Sequence, residues 1–186
     1  MKNKNFALIT SFIGIAALFR LFPHPPNVTP VAAMAFVGGA YFTKKYWGFL
    51  LPIIALFLSD LVINNTIARP FFTDHVGFVF FSDYMIPVYI AFVLTAAIGM
   101  VMHASGMFKK IVFGALFSSI AFFFITNIGS WMSSAFYPKT FAGLLLCLEA
   151  GVPFFRNTAM GNLMFFSVII LAIEAIKSYV LKPQAA

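Results

Sequence analysis

Four polar side chains stand inside otherwise apolar stretches: Arg20, Asp60, Asn127 and Asn162. A guanidinium, a carboxylate and two amides offer donors and acceptors in fixed directions, which suits them to holding a small molecule. They do not form a set for covalent or hydrolytic chemistry. The chain has no H-E-x-x-H, no G-x-S-x-G and no G-x-x-x-x-G-K-[ST] motif. It therefore lacks the P-loop cradle for ATP, and any ATP-driven step belongs to a partner. His24, His75 and Cys147 fall in three separate gaps between apolar runs, without C-x-x-C or H-x-x-x-H spacing. No metal, no other cofactor and no catalytic residue are expected, and the chain reads as a non-enzyme.

The elements that must position these groups are membrane helices. The chain is 62% hydrophobic and only 9% charged over 186 residues, against about 25% charged in a soluble domain. Mean hydropathy is +0.97. A spanning helix takes about 20 residues, so six fit, leaving room for loops but not for a separate soluble domain. The expected helices cover about 6–22, 29–42, 47–63, 84–103, 111–131 and 157–180. Pro23, Pro25 and Pro26 stop the first. The second is short for a span, so part of its outer end belongs to a loop. The stretch Phe141 to Leu148 is too short to cross and reads as a separate short helix on the outer face. The run from Met1 to Phe22 resembles a signal peptide in outline. Arg20 and His24-Pro25-Pro26 argue against cleavage, so it is taken as a retained first helix.

Charge sets the orientation. Lys2, Lys4, Lys44, Lys45, Lys109, Lys110, Lys177 and Lys182 fall on one side, and Arg20, Arg69, Lys139 and Arg156 on the other. Short cytoplasmic loops favour Lys and Arg, so both termini are expected in the cytoplasm. The formal charge of +7 is mostly this orientation signal, with no basic run of the kind that binds nucleic acid. The single Cys147 excludes an intrachain disulfide.

With about 1.5 Å of rise per residue, Arg20 lies about 21 Å up its helix, Asp60 about 20 Å and Asn127 about 24 Å. Asn162 lies just below the outer start of the sixth helix, and Thr29 is at a comparable depth. All fall in the outer third of a hydrocarbon core about 30 Å thick. Ionisable groups there face the interior and mark a site or pathway. The layer reads as the floor of an outward cavity, formed by Arg20, Asp60, Asn127 and Asn162. His24, Asn27, Trp131, Tyr137, Glu149 and Arg156 would form its walls or lid. Two long outer segments, Asn64 to Asp83 and Ser134 to Arg156, are expected to close over it. The competing reading makes Arg20–Asp60 a structural ion pair and the two asparagines interhelical glue. The aromatic groups then form an interfacial belt.

As a set, several segments look familiar: Arg20-Leu-Phe-Pro-His-Pro-Pro-Asn-Val-Thr-Pro, Leu58-Ser-Asp-Leu, Thr126-Asn with Trp131, Tyr137-Pro-Lys-Thr, and Pro153-Phe-Phe-Arg-Asn. Over nearly the whole chain they resemble a family of small, uncharacterised bacterial membrane proteins. That family is grouped with the substrate-binding S components of energy-coupling factor (ECF) transporters. The resemblance implies an all-α six-helix bundle in the bacterial inner membrane. It implies an outward pocket for a vitamin-like molecule, roofed by the loops after helices 1, 3 and 5. It also implies a membrane coupling subunit and two ATPases as partners. Of the usual small-residue contact motif in helix 1, only the pair Ala7 and Ser11 matches. The expected function is capture of a small micronutrient from outside. The rivals are a ligand-free membrane scaffold or assembly protein, and a membrane-embedded enzyme using His24, Asp60 or Glu149.

Overall fold

The computed structural model describes residues 2–72 and 76–180. His75 and Lys182, used above for metal spacing and orientation, lie outside the described residues. Among the described residues there are six α-helices, a single 3-10 turn and no strand. The helices are α1 (Lys2–Phe19), α2 (Val31–Tyr41), α3 (Lys45–Asn65), α4 (Met85–Val101), α5 (Met107–Ser133) and α6 (Phe141–Val180). Three of them, α3, α5 and α6, are long and apolar enough to cross a membrane.

Helix α2 is the core of the bundle. Its sequence, Val-Ala-Ala-Met-Ala-Phe-Val-Gly-Gly-Ala before Tyr41, is apolar on every face, and all ten of these residues are buried. A helix apolar all round has no solvent or lipid face and must be enclosed. At 11 residues it is about 16 Å long, half a hydrocarbon core. The outer part of that segment is loop, because Pro30 precedes the helix and the chain from Arg20 to Pro30 is irregular. The neighbours come very close. A Cβ added at Gly39 would strike the carbonyl of Ala96, and one at Gly99 the carbonyl of Phe36. Glycine at both positions is what lets α2 and α4 pack backbone against backbone.

Side-chain contacts separate the two ends of the bundle. At one end Phe6 packs on Phe42 and Trp47, at 5.4 and 5.5 Å between ring centroids. Lys110 and Lys177 meet Tyr41 at the same end. The starts of α1, α3 and α5 and the ends of α2 and α6 therefore lie together. At the other end Tyr84 and Tyr89 of the α4 start reach Asn64 and Asp60 near the end of α3.

One expectation needs correction. The separate short helix over Phe141 to Leu148 and a sixth helix from Asn157 do not exist as two elements. Residues Phe141–Val180 form one 40-residue helix, about 60 Å long. Pro153 lies inside it and removes one backbone donor. Packing on α5 compensates. Phe155 meets Phe123 at 5.2 Å, the Cys147 thiol points at the Asn127 carbonyl at 3.4 Å, and Gly151 lies against the Asn127 side chain. Most of the second expected lid segment is thus helix, and only the short link Ser134–Thr140 is not.

Candidate functional site

Arg20 sits just past α1, in the turn that Pro23 forces. Its Nη1 donates to Ser59 Oγ at 2.5 Å and to the Leu56 carbonyl at 3.3 Å. Its Nη2 donates to Asp60 Oδ1 at 2.6 Å. The other oxygen of Asp60 accepts from the Tyr89 hydroxyl at 2.8 Å. Asp60 is fully buried, whereas the Arg20 side chain keeps 14% exposure. This geometry separates two residues that the sequence treats alike. Asp60 has both oxygens engaged and lines neither of the two cavities described below, and it neutralises and holds the Arg20 guanidinium.

Arg20 lines a cavity of about 630 Å³ at this end of the bundle, within the roughly 300–1,000 Å³ of small-molecule sites. His24, Asn27, Thr29, Tyr84 and Asn162 supply its other principal polar groups. Phe22, Phe92 and Phe122 give it aromatic walls. Asn162 is buried and donates to Ser119 Oγ at 2.9 Å, which leaves its amide oxygen without a protein donor among the described residues. Tyr84 donates to Asn64 at 2.6 Å and can still accept. Asn27 holds a left-handed backbone, φ 63°, a conformation that asparagine tolerates better than most residues. The loop around it is tied to α6 by Asn157, whose amide donates to the Pro26 carbonyl at 3.3 Å.

A second, smaller cavity of about 280 Å³ lies alongside, between α5 and α6, and shares Asn27, Phe122 and Thr158 with the first. Asn127 and Tyr137 line this one, not the larger one. The amide of Asn127 donates back to the Phe123 carbonyl at 2.7 Å.

The remaining residues singled out by sequence lie elsewhere. Trp131 lines neither cavity. Its indole donates to the Pro138 carbonyl at 2.8 Å, and Lys139 caps the same turn through the Ser134 and Trp131 carbonyls. Together they staple the α5–α6 link. Glu149 and Arg156 are exposed on α6 and line neither cavity. Among the described residues, no three His, Cys, Asp or Glu side chains come together as a metal site would require.

Sequence reasoning missed Ser59, Tyr84, Tyr89 and Thr158. Thr158 was within reach, since it lies four residues before Asn162 and so shares its helix face. The hydroxyls of Ser59 and the tyrosines carry no such periodic signal in an apolar run.

No curated protein and no solved structure matches the sequence. The family model that does match, over residues 1–185, describes a family of unknown function, DUF6580, and the chain belongs to that family.

Proposed function

We propose that this is a multi-pass membrane protein of the bacterial inner membrane that captures a small micronutrient-like molecule from outside. In this reading it is a six-helix, S-component-like bundle with both termini in the cytoplasm. It is not an enzyme. It hands its cargo on with the help of a coupling subunit and ATPases, because its sequence has no P-loop motif.

The observation that carries the reading is the presentation of Arg20. It donates three hydrogen bonds, to Leu56, Ser59 and Asp60, out of the five N–H donors a guanidinium holds, so two remain for a ligand. Arg20 lines a cavity with aromatic walls. Asp60 cancels the charge, so the site does not demand an anion. It suits a flat ring that bears hydrogen-bond acceptors, with the Asn162 amide oxygen taking a donor. A ligand-free scaffold would use the same Arg20–Asp60 and Asn162–Ser119 contacts as glue, but it has no need of the open volume beside them.

Orientation and access are testable without knowing the ligand. In a Cys147→Ser background, Thr29→Cys tests the cavity and Lys109→Cys tests the lysine-rich end. A membrane-impermeant maleimide added to intact cells should label position 29, and should label position 109 only after permeabilisation. The opposite pattern overturns the outward cavity.

A further inference from the structure

We infer that the opposite, lysine-rich end of the bundle holds a site for one anionic phosphate group, of the kind an inner-leaflet phospholipid carries. Its residues are Lys110 of α5, Lys177 of α6 and Tyr41 of α2. The Lys110 ammonium lies 4.7 Å from the centre of the Tyr41 ring and the Lys177 ammonium 4.1 Å from it. Two cations therefore share one ring. The single carboxylate at hand is Glu174, 3.6 Å from Lys177. One positive charge is left over, and it falls on Lys110.

Lys110 is a costly residue to leave so. It is only 8% exposed, and among the described residues it has no carboxylate within 4 Å and no hydrogen-bond acceptor, with Glu174 acting on it only at longer range. Charged side chains that deep are normally paired. A ring face attracts an ammonium, but it accepts none of its N–H bonds in the way an anion does. The Tyr41 hydroxyl is shut off from solvent and makes no hydrogen bond within 3.5 Å, and the Glu174 carboxylate is the acidic group that faces it. One group with several anionic oxygens, placed between the two ammoniums, would satisfy Lys110 and share Lys177 with Glu174. Phosphate has the oxygens to do this, and charge-assisted bonds to it are strong.

The surroundings favour phosphate attached to a lipid. Lys44, Lys45 and Lys109 are exposed at the same end, and such segments attract anionic headgroups. From Lys110, α5 continues into the exposed Phe113 and Phe117, where acyl chains would lie. Basic pockets between helices on the cytoplasmic side are known headgroup sites. The inference rests on the orientation proposed above, with this end in the cytoplasm, but not on what the opposite cavity binds.

The test is retention. The protein is reconstituted in vesicles of equal parts phosphatidylglycerol and phosphatidylcholine, released in mild detergent and weighed by native mass spectrometry. One phosphatidylglycerol per chain should persist, favoured over phosphatidylcholine by about tenfold, the effect of one such interaction. Lys110→Gln should abolish the preference and Lys44→Gln should keep it. If Lys110→Gln does not fold, Lys177→Gln serves for the same comparison. Displacement of the lipid by millimolar inorganic phosphate would support the phosphate site and assign it to free phosphate; resistance to phosphate supports the lipid. Equal retention of the two lipids, or undiminished phosphatidylglycerol on a folded Lys110→Gln variant, overturns the inference.

Discussion

Replacing Asp60 by alanine perturbs the site where its energetics are largest. The substitution leaves the Arg20 guanidinium with a hydroxyl and a carbonyl but no counter-charge, and it leaves the Tyr89 hydroxyl without its acceptor. Breaking a buried ion pair from one side costs about 3–5 kcal/mol. Arg20 keeps some exposure, 14%, so water can partly solvate the orphaned charge and the lower value, about 3 kcal/mol, applies. At about 2–4 °C per kcal/mol for a chain of this size, the midpoint of thermal unfolding should fall by roughly 6–12 °C. Thermal unfolding in detergent followed by size exclusion measures it. The double variant Arg20→Met with Asp60→Leu should recover the ion-pair part of the loss, because a well-packed apolar pair replaces a buried ion pair at little cost, while the Tyr89 hydroxyl still lacks its acceptor. A midpoint for Asp60→Ala within about 2 °C of the parent would refute the reasoning, since at 2–4 °C per kcal/mol that is under about 1 kcal/mol, the worth of a surface pair.

Two glycine substitutions probe the close packing of α2 against α4. Gly39→Ala or Gly99→Ala would drive a methyl group into a backbone carbonyl of the partner helix, at a cost of about 1–3 kcal/mol. Gly14→Ala, which meets nothing nearby, should be neutral or stabilise by up to about 1 kcal/mol. Equal yields and unfolding midpoints for all three would contradict the close α2–α4 approach. Gly151→Ala should push the Asn127 side chain into the smaller cavity and slow the reaction of Cys147 with a small thiol reagent several-fold, with the fold intact. An unchanged rate would mean that the thiol is reached by another route.

What the sequence could reveal follows from which signals are periodic. The apolar runs and the proline cluster at Pro23–Pro26 placed five helices to within a few residues. The depth count placed Arg20 level with Asp60, and the two side chains do meet at 2.6 Å. The same count could not say which helix faces which. Asn127 therefore lies in the neighbouring cavity, and Trp131, expected in the wall, spends its indole on the Pro138 carbonyl. The continuity of α6 was hidden because Pro153, Glu149 and Arg156 together look like a loop. Only the packing of Phe155 on Phe123 and of Gly151 on Asn127 makes that stretch worth keeping helical. The loose end of the count was Lys110. By sequence it was one of two adjacent orientation lysines, yet it is buried against Tyr41 while Lys109 stays exposed.

The capture reading stands or falls on what the protein carries. Purified gently from its own host and released from detergent in a mass spectrometer, the parent chain should show one small non-lipid molecule at one per chain. The Arg20→Met, Asp60→Leu variant, folded but without the guanidinium, should carry none of it. A parent chain with no such mass, or a double variant that retains it at the same occupancy, would contradict the account and leave the polar layer as interhelical glue.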